Sequence, residues 1–174
     1  GLPVGAFGAS AEIMSNLAPL GGVYQAGTLS GNPLATAAGL AVLGELTPAA
    51  YEQLIGTATT LAEGLAAAFA DAGLAAQVPR VGPLIGLFFG PHQPTDYDEA
   101  KDSVDLGHYP RWFHGMLDRG IALAPGPYEV LFPSLAHSES DIAHTIEAAA
   151  EVAVELAGVA ALADAVESEN GAAS

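Results

Sequence analysis

An uncharged, flexible turn within residues 23–33, VYQAGTLSGNP, holds the residues best suited to bind an anion. Gly27 and Thr28 lie shortly before Asn32 and Pro33, a pair typical of a helix start because asparagine caps free amides and proline fits the first turn. Backbone amides and a threonine hydroxyl can hold a phosphate there without lysine or arginine. The Gly-Lys pair of a P-loop is absent. On the residues alone, a phosphate-binding turn and an ordinary structural turn both remain open.

The single lysine, Lys101, is the only side chain with a primary amine for Schiff-base chemistry. Asp98, Glu99, Asp102 and Asp105 surround it in sequence, and their negative charges favour its protonated form. A nucleophilic lysine must lose its proton, which needs partial desolvation rather than a polar surface. We therefore do not expect Lys101 to be a catalytic residue.

The remaining candidates for chemistry are histidines, serines and arginines. No two of the five histidines have the three- or four-residue spacing of metal ligands on a helix, so we expect no metal site. Serines near His137 suggest a hydrolase, but no G-x-S-x-G motif accompanies them and local capping explains them better. The arginines are scattered and are expected to pair with acidic side chains; they are Arg80, Arg111 and Arg119.

Length and charge limit the class of protein. A chain of 174 residues can form one domain, or one domain with a piece of another. Its formal charge of −16 disfavours nucleic acid and acidic membranes as partners, although a specific cationic partner remains an alternative to mere solubility. The absence of cysteine excludes disulfides and thiolate sites. The uncharged stretch 13–44 is too often interrupted by polar residues, Gly and Pro for a membrane span.

The pattern of caps, glycines and apolar residues predicts how these candidates are positioned. Residues 1–32 bend often, and a boundary between two structural contexts is expected near residue 47. The segment TDYDEAKDSVD is interpreted as a solvated loop. An antiparallel pair of strands is predicted at 76–81 and 84–89, and further strands at 121–124 and 129–132. Helices are predicted at 33–46, 47–72, 109–118 and 139–156, followed by a frayed tail from residue 164.

Three segments together resemble the glutamate-1-semialdehyde aminomutases, a family of the class III aminotransferase group. They are GLPVGAFG, VYQAGTLSGNPLATAAGLAVL and GMLDRGIALAPGPYEVLFPSLAH, in the family's order and spacing. The resemblance covers essentially the whole chain as a C-terminal portion, in keeping with a start that lacks an initiator methionine. It implies an α/β protein with the type I fold of PLP-dependent transferases. The implied parts are the end of the large domain in residues 1–47, a small α+β domain in 48–163 and a flexible tail in 164–174.

The resemblance also implies a site. The cofactor is expected to be pyridoxal 5'-phosphate or pyridoxamine 5'-phosphate, and Gly27 and Thr28 match a turn that touches its phosphate. That cofactor is bound mainly by a neighbouring subunit, so a homodimer with shared active sites is expected. No catalytic residue is assigned within the chain, because the Schiff-base lysine is expected just upstream of Gly1.

Glu129 and Tyr24 are the residues assigned to the substrate pocket. Glu129, in APGPYEVLF, resembles a position where many class III aminotransferases present an arginine to a carboxylate. An acid there would repel a second carboxylate and so favour a substrate that has one. The family often has Ser-Gln-Phe-Glu where this chain has Gly-Pro-Tyr-Glu, so the surroundings of Glu129 differ. The alternatives are a solvent-facing glutamate for Glu129 and a buried core tyrosine for Tyr24.

The activity implied by the resemblance is intramolecular amino transfer from glutamate 1-semialdehyde to 5-aminolevulinate, for tetrapyrrole synthesis. The substrate is then a small molecule and the expected location is the cytoplasm. Two alternatives stay open: another class III aminotransferase, and a non-catalytic acidic domain for interaction or dimerisation.

Overall fold

Capping side chains fix where several helices begin in the computed structural model, which describes residues 2–172 and the side chains of all but Asp105 and residues 160–172. Asn32 accepts hydrogen bonds from the amides of Leu34 and Ala35, and Thr47 accepts one from Ala50. The helices are α1 (Ala11–Met14), α2 (Pro33–Glu45), α3 (Pro48–Asp71), α4 (Tyr97–Asp105), α5 (His108–Asp118) and α6 (Glu139–Ala172).

The chain divides into two compact units, one that ends at Ala50 and one that begins at Tyr51. In the first unit, α2 exposes large apolar side chains such as Leu34, Leu40 and Leu43. The sequence of this helix is small and apolar nearly all round, which predicts that it packs between neighbouring elements, and that stays a prediction. The assignment of residues 1–47 and 48–163 to a large and a small domain also stays a prediction.

The second unit contains a short antiparallel hairpin. Its strands are β1 (Ala76–Gln77), β2 (Arg80–Val81), β3 (Leu84–Ile85) and β4 (Phe88–Phe89), paired as β1 with β4 and β2 with β3. Gly82 lies at the tip with φ of 59°, a value that suits glycine because it has no β-carbon. The antiparallel pair predicted from the sequence is therefore confirmed.

Helices α3, α5 and α6 enclose the core with this hairpin. Phe69 from α3 contacts Trp112 from α5 and Phe89 from β4, with ring centroids 5.0 Å and 5.6 Å apart. Most of the large apolar side chains of α3 are buried, but Ile55 is 40% exposed and does not belong to the core. Burial of the large aromatic rings supplies much of the unit's apolar stabilisation.

Three predictions about local structure were wrong. Residues 97–105 form α4 rather than a loop, because Asp96 caps the helix by accepting a hydrogen bond from the amide of Glu99, and Ala100 is buried. Residues 121–124 form no strand, because no hydrogen-bonded ladder to them is present among the described residues. From 129–132 only Leu131 pairs, in a single bridge with Ile85.

The last helix is longer than predicted. Helix α6 continues beyond Leu156 to Ala172, so its backbone includes most of the segment assigned to the tail. Residues 173 and 174 of that predicted tail lie outside the described residues.

Membrane-spanning helices were considered across the described part of the chain. No single helix there is long and apolar enough to cross a membrane. The neighbouring helices α2 and α3 together meet the requirements of length and composition, but only as one broken span.

Candidate functional site

The turn that carries Gly27 and Thr28 is closed by hydrogen bonds of its own backbone. The amide of Ser30 donates to the carbonyl of Gly27 at 3.1 Å, and the amide of Asn32 donates to that of Leu29 at 3.1 Å. Asn32 then satisfies two amides at the start of α2. Because the cap occupies these donors, the turn that precedes the helix, rather than the helix end, is the place where donors for an anion remain available.

Gly27 and Thr28 contribute differently to this turn. A β-carbon at residue 27 would lie 3.2 Å from Oγ of Ser30, so glycine keeps the turn tight. The hydroxyl of Thr28 is exposed and has no hydrogen-bond partner among the described residues. It is therefore free to donate to a ligand.

One groove of this unit is lined by residues from two of the segments that carry the family resemblance, GLPVGAFG and VYQAGTLSGNPLATAAGLAVL. The lining residues are 3–7, Gln25 and 27–31. All four Lys and Arg residues lie after residue 50, so the unit offers only neutral donors to an anion. These residues suit a part of a phosphate site, with the remaining charge supplied by other groups.

Tyr24 is 82% exposed. Its ring is therefore not packed in the core of this unit. Its phenol can donate and accept hydrogen bonds. Its assignment to a substrate pocket stays a prediction.

Glu129 ends a turn in the second unit, residues 125–129, that buried residues hold in place. Its amide donates to the carbonyl of Gly126 at 3.2 Å, and its side chain is exposed. The hydroxyl of Tyr109 donates to the carbonyl of Ala124 at 2.8 Å, just before the turn. Burial, and then the charge of Glu129, raise the pKa of Tyr109 above its ordinary value.

The same turn is contacted from α4. The rings of Tyr97 and Tyr128 lie 5.7 Å apart with their planes inclined by 32°. Sequence reasoning did not identify Tyr97, Tyr109 or Tyr128, because their partners are distant along the chain. The missed signal was Tyr109 near the start of the amphipathic helix α5. A buried tyrosine hydroxyl needs a hydrogen-bond acceptor, and that need indicates a contact with a distant part of the chain.

The other candidates form local structure. Nδ1 of His137 accepts a hydrogen bond from the amide of Ser134 at 2.9 Å, and Ser138 caps α6 through Asp141, as local capping predicts. Arg119 forms ion pairs with Glu151 and Glu155, which confirms a pairing role for this arginine. Among the described side chains, no cluster suited to a metal ion is found.

Comparison with known proteins adds independent information. A sequence model described as Aminotransferase class-III matches residues 1–153. A relative from Desulfosudis oleivorans named glutamate-1-semialdehyde 2,1-aminomutase is 48% identical over 157 residues, which are 90% of this chain and 36% of the relative. One of that name from Dechloromonas aromatica is 49% identical over 150 residues, which are 86% of this chain and 35% of the relative. The chain thus spans little more than a third of these curated relatives.

The solved structures that match this chain include an omega-transaminase and an aminomutase. An omega-transaminase from Sphaerobacter thermophilus matches with a TM-score of 0.70 and 27% identity, over 86% of this chain and 34% of that one. A glutamate-1-semialdehyde-aminomutase from Pseudomonas aeruginosa in complex with PMP matches with a TM-score of 0.64 and 26% identity, over 75% and 29%. These likenesses confirm the α/β fold class predicted from the sequence.

Proposed function

Because this chain belongs to the class-III aminotransferase family, we propose that the protein containing it is a glutamate-1-semialdehyde 2,1-aminomutase. The reaction moves an amino group within one substrate molecule and yields 5-aminolevulinate for tetrapyrrole synthesis. The observation that carries the proposal is 48% identity over 90% of the chain to a relative of that name. A cytoplasmic location is part of the proposal, supported by the bacterial sources of the relatives.

The proposed cofactor is pyridoxal phosphate, or pyridoxamine phosphate as in the solved aminomutase complex. When bound, it supplies the electron sink that amino transfer requires. From this chain, the Thr28 hydroxyl would donate to the phosphate, and Gly27 would let the backbone approach it closely. Because the unit lacks cationic side chains, this contact supplements a site formed mainly by a partner subunit in a homodimer.

Glu129 is the residue we assign to substrate selection. Its exposed carboxylate ends a turn held by Tyr109 and Leu131. A negative charge beside the substrate repels a second carboxylate while tolerating an uncharged aldehyde. Tyr24, with its exposed phenol, is proposed to line the substrate pocket beside the cofactor. The Schiff-base lysine is proposed to precede Gly1 in the intact protein.

A second candidate is another class III transaminase. The omega-transaminase structure matches more of this chain, and with a higher TM-score, than the aminomutase structure does. The two candidates differ in their need for a second substrate. A transaminase requires an external amino donor and acceptor, whereas an aminomutase requires neither.

The test is to supply the intact protein with glutamate 1-semialdehyde and measure 5-aminolevulinate without any added amino donor or keto acid. Sustained formation over many turnovers is expected for the aminomutase. A matched reaction with a keto acid serves as the control. An absolute requirement for that keto acid would exclude the aminomutase and favour the transaminase.

A further inference from the structure

Glu129 lies between two backbone positions, Ala124 and Leu131, which hydrogen bonds to buried residues fix in place. On one side, the carbonyl of Ala124 accepts the hydroxyl of Tyr109, whose residue is 6% exposed. On the other side, Leu131 and the fully buried Ile85 exchange two backbone hydrogen bonds of 2.9 Å and 3.2 Å. The turn between these points is therefore fixed at both ends, although its own side chains reach solvent.

The turn adds contacts of its own around the carboxylate. A β-carbon at Gly126 would lie 3.3 Å from Cγ of Glu129, so the glutamate side chain passes directly over this glycine. Tyr128, the residue before Glu129, contacts the ring of Tyr97 on α4. Glu129 thus depends on contacts from α4 and α5 for its position.

The hydrogen bond from Tyr109 to the carbonyl of Ala124 persists over a wide range of pH. A phenol donates only while it is protonated, and both burial and the nearby negative charge keep the pKa of Tyr109 above its ordinary value. The hydroxyl therefore remains a donor throughout the physiological pH range.

We propose that Tyr109 is a positioning residue for substrate selectivity, which acts by holding the carbonyl of Ala124 and with it the turn that presents Glu129. The inference rests on the proposed function, in which Glu129 rejects a second carboxylate. Repulsion between charges falls with their separation, so a turn that moves freely discriminates less well. Loss of one hydrogen bond predicts a change of about two- to tenfold.

The experiment compares two ligands of equal chain length, glutarate with two carboxylates and pentanoate with one. Their binding to the intact cofactor-loaded protein is measured by titration calorimetry for the parent and for Tyr109→Phe. Phenylalanine keeps the ring in the core and removes only the hydroxyl. The preference for pentanoate is expected to fall about two- to tenfold in Tyr109→Phe. Tyr51→Phe removes an exposed hydroxyl elsewhere in the same unit and should leave the preference unchanged.

Two further variants separate positioning from stability and from the proposed function. Tyr97→Leu, at an exposed site, removes the ring contact to Tyr128 and should also lower the preference. In Glu129→Gln the preference should be lost, and adding Tyr109→Phe to it should then have no further effect, because Tyr109 acts through Glu129. An unchanged preference in Tyr109→Phe beside a lost one in Glu129→Gln would overturn this inference alone. An unchanged preference in Glu129→Gln would overturn the assigned role of Glu129 as well.

Discussion

Gly64 on α3 lies so close to Ile146 on α6 that residue 64 has no room for a β-carbon. Such an atom would come within 2.6 Å of Cγ1 and 3.0 Å of Cγ2 of Ile146. Gly115 on α5 has the same relationship to Val152 on α6, at 2.9 Å from Cγ1. Packed interiors leave little space to absorb an added atom. The two glycines therefore set how closely α3 and α5 approach α6.

The first prediction is that Gly64→Ala destabilises the protein. Overpacking costs about 1–3 kcal/mol, and the better helix propensity of alanine returns up to about 1 kcal/mol. We therefore expect the free energy of unfolding to fall by up to about 2 kcal/mol in urea denaturation. Adding Ile146→Val, which shortens the opposing side chain, should restore part of the loss.

Gly56 on the same helix provides the matched control. No atom lies within 4 Å of a β-carbon built there. Gly56→Ala should therefore stabilise the protein by about 0.5–1 kcal/mol through helix propensity alone. Equal effects at residues 56 and 64 would contradict the packing explanation.

Local signals predicted much of the fold. Asn32 and Thr47 mark helix starts through side-chain caps, and Gly73 and Gly120 mark helix ends with φ of 71° and 82°. These features depend on a few adjacent residues, so the sequence carries them directly. The hairpin tip at Gly82 is predictable for the same reason.

Features that need distant partners were predicted less well. Residues 121–124 have strand-forming side chains, but a strand also needs a hydrogen-bonded neighbour, which composition does not reveal. Helix α4 was missed because its acidic surface outweighed the pattern of Asp96 and Glu99, which is a helix-start signal. In the candidate site, the motif around Thr28 was found by resemblance, whereas the bond from Tyr109 to Ala124 required the structure.

The second prediction concerns acid stability at the start of α6. The hydroxyl of Ser138, and then its amide, donate to the carboxylate of Asp141 and lower the pKa of Asp141. A lowered carboxyl pKa adds stability that is present above the ordinary Asp value, about 3.9, and is lost as pH falls through the lowered value.

Ser138→Ala should therefore reduce stability at neutral pH and should have a smaller effect at the acid end, where the carboxylate is protonated in both proteins. Thermal midpoints of parent and variant across a pH series provide the measurement. A difference that is constant over the whole series would show that the Asp141 carboxylate does not contribute.

The third prediction is that Thr28→Val weakens cofactor binding in the intact protein. Valine has nearly the shape of threonine but lacks its hydroxyl. A hydrogen bond to a charged group contributes about 1.5–3 kcal/mol, so the Kd of pyridoxal phosphate should rise about tenfold to a hundredfold. Absorbance titration of the cofactor-free protein measures this constant.

Two controls belong with Thr28→Val. Thr28→Ser keeps a hydroxyl and should retain most of the affinity. Thr36→Val removes a hydroxyl that already donates to the carbonyl of Asn32, so it should leave the Kd unchanged. Unchanged affinity in Thr28→Val would contradict the proposed phosphate contact.

The last prediction is that Glu129→Arg reverses the choice between substrates with one and two carboxylates. The side chain at this position is exposed and the turn that carries it is held at both ends, so an arginine is expected to take a similar place without disturbing the core. A guanidinium can bind a carboxylate through two parallel hydrogen bonds. The affinity for glutarate should therefore rise about tenfold to a hundredfold, whereas the affinity for pentanoate should change little.

Two control variants test the cause of this change. Glu129→Gln removes the repulsion without adding an attraction and should give an intermediate affinity for glutarate. Glu52→Arg makes the same change of net charge on an exposed face of α3, so a similar gain in that variant would show that general electrostatics, rather than the position of residue 129, controls the binding of dicarboxylates.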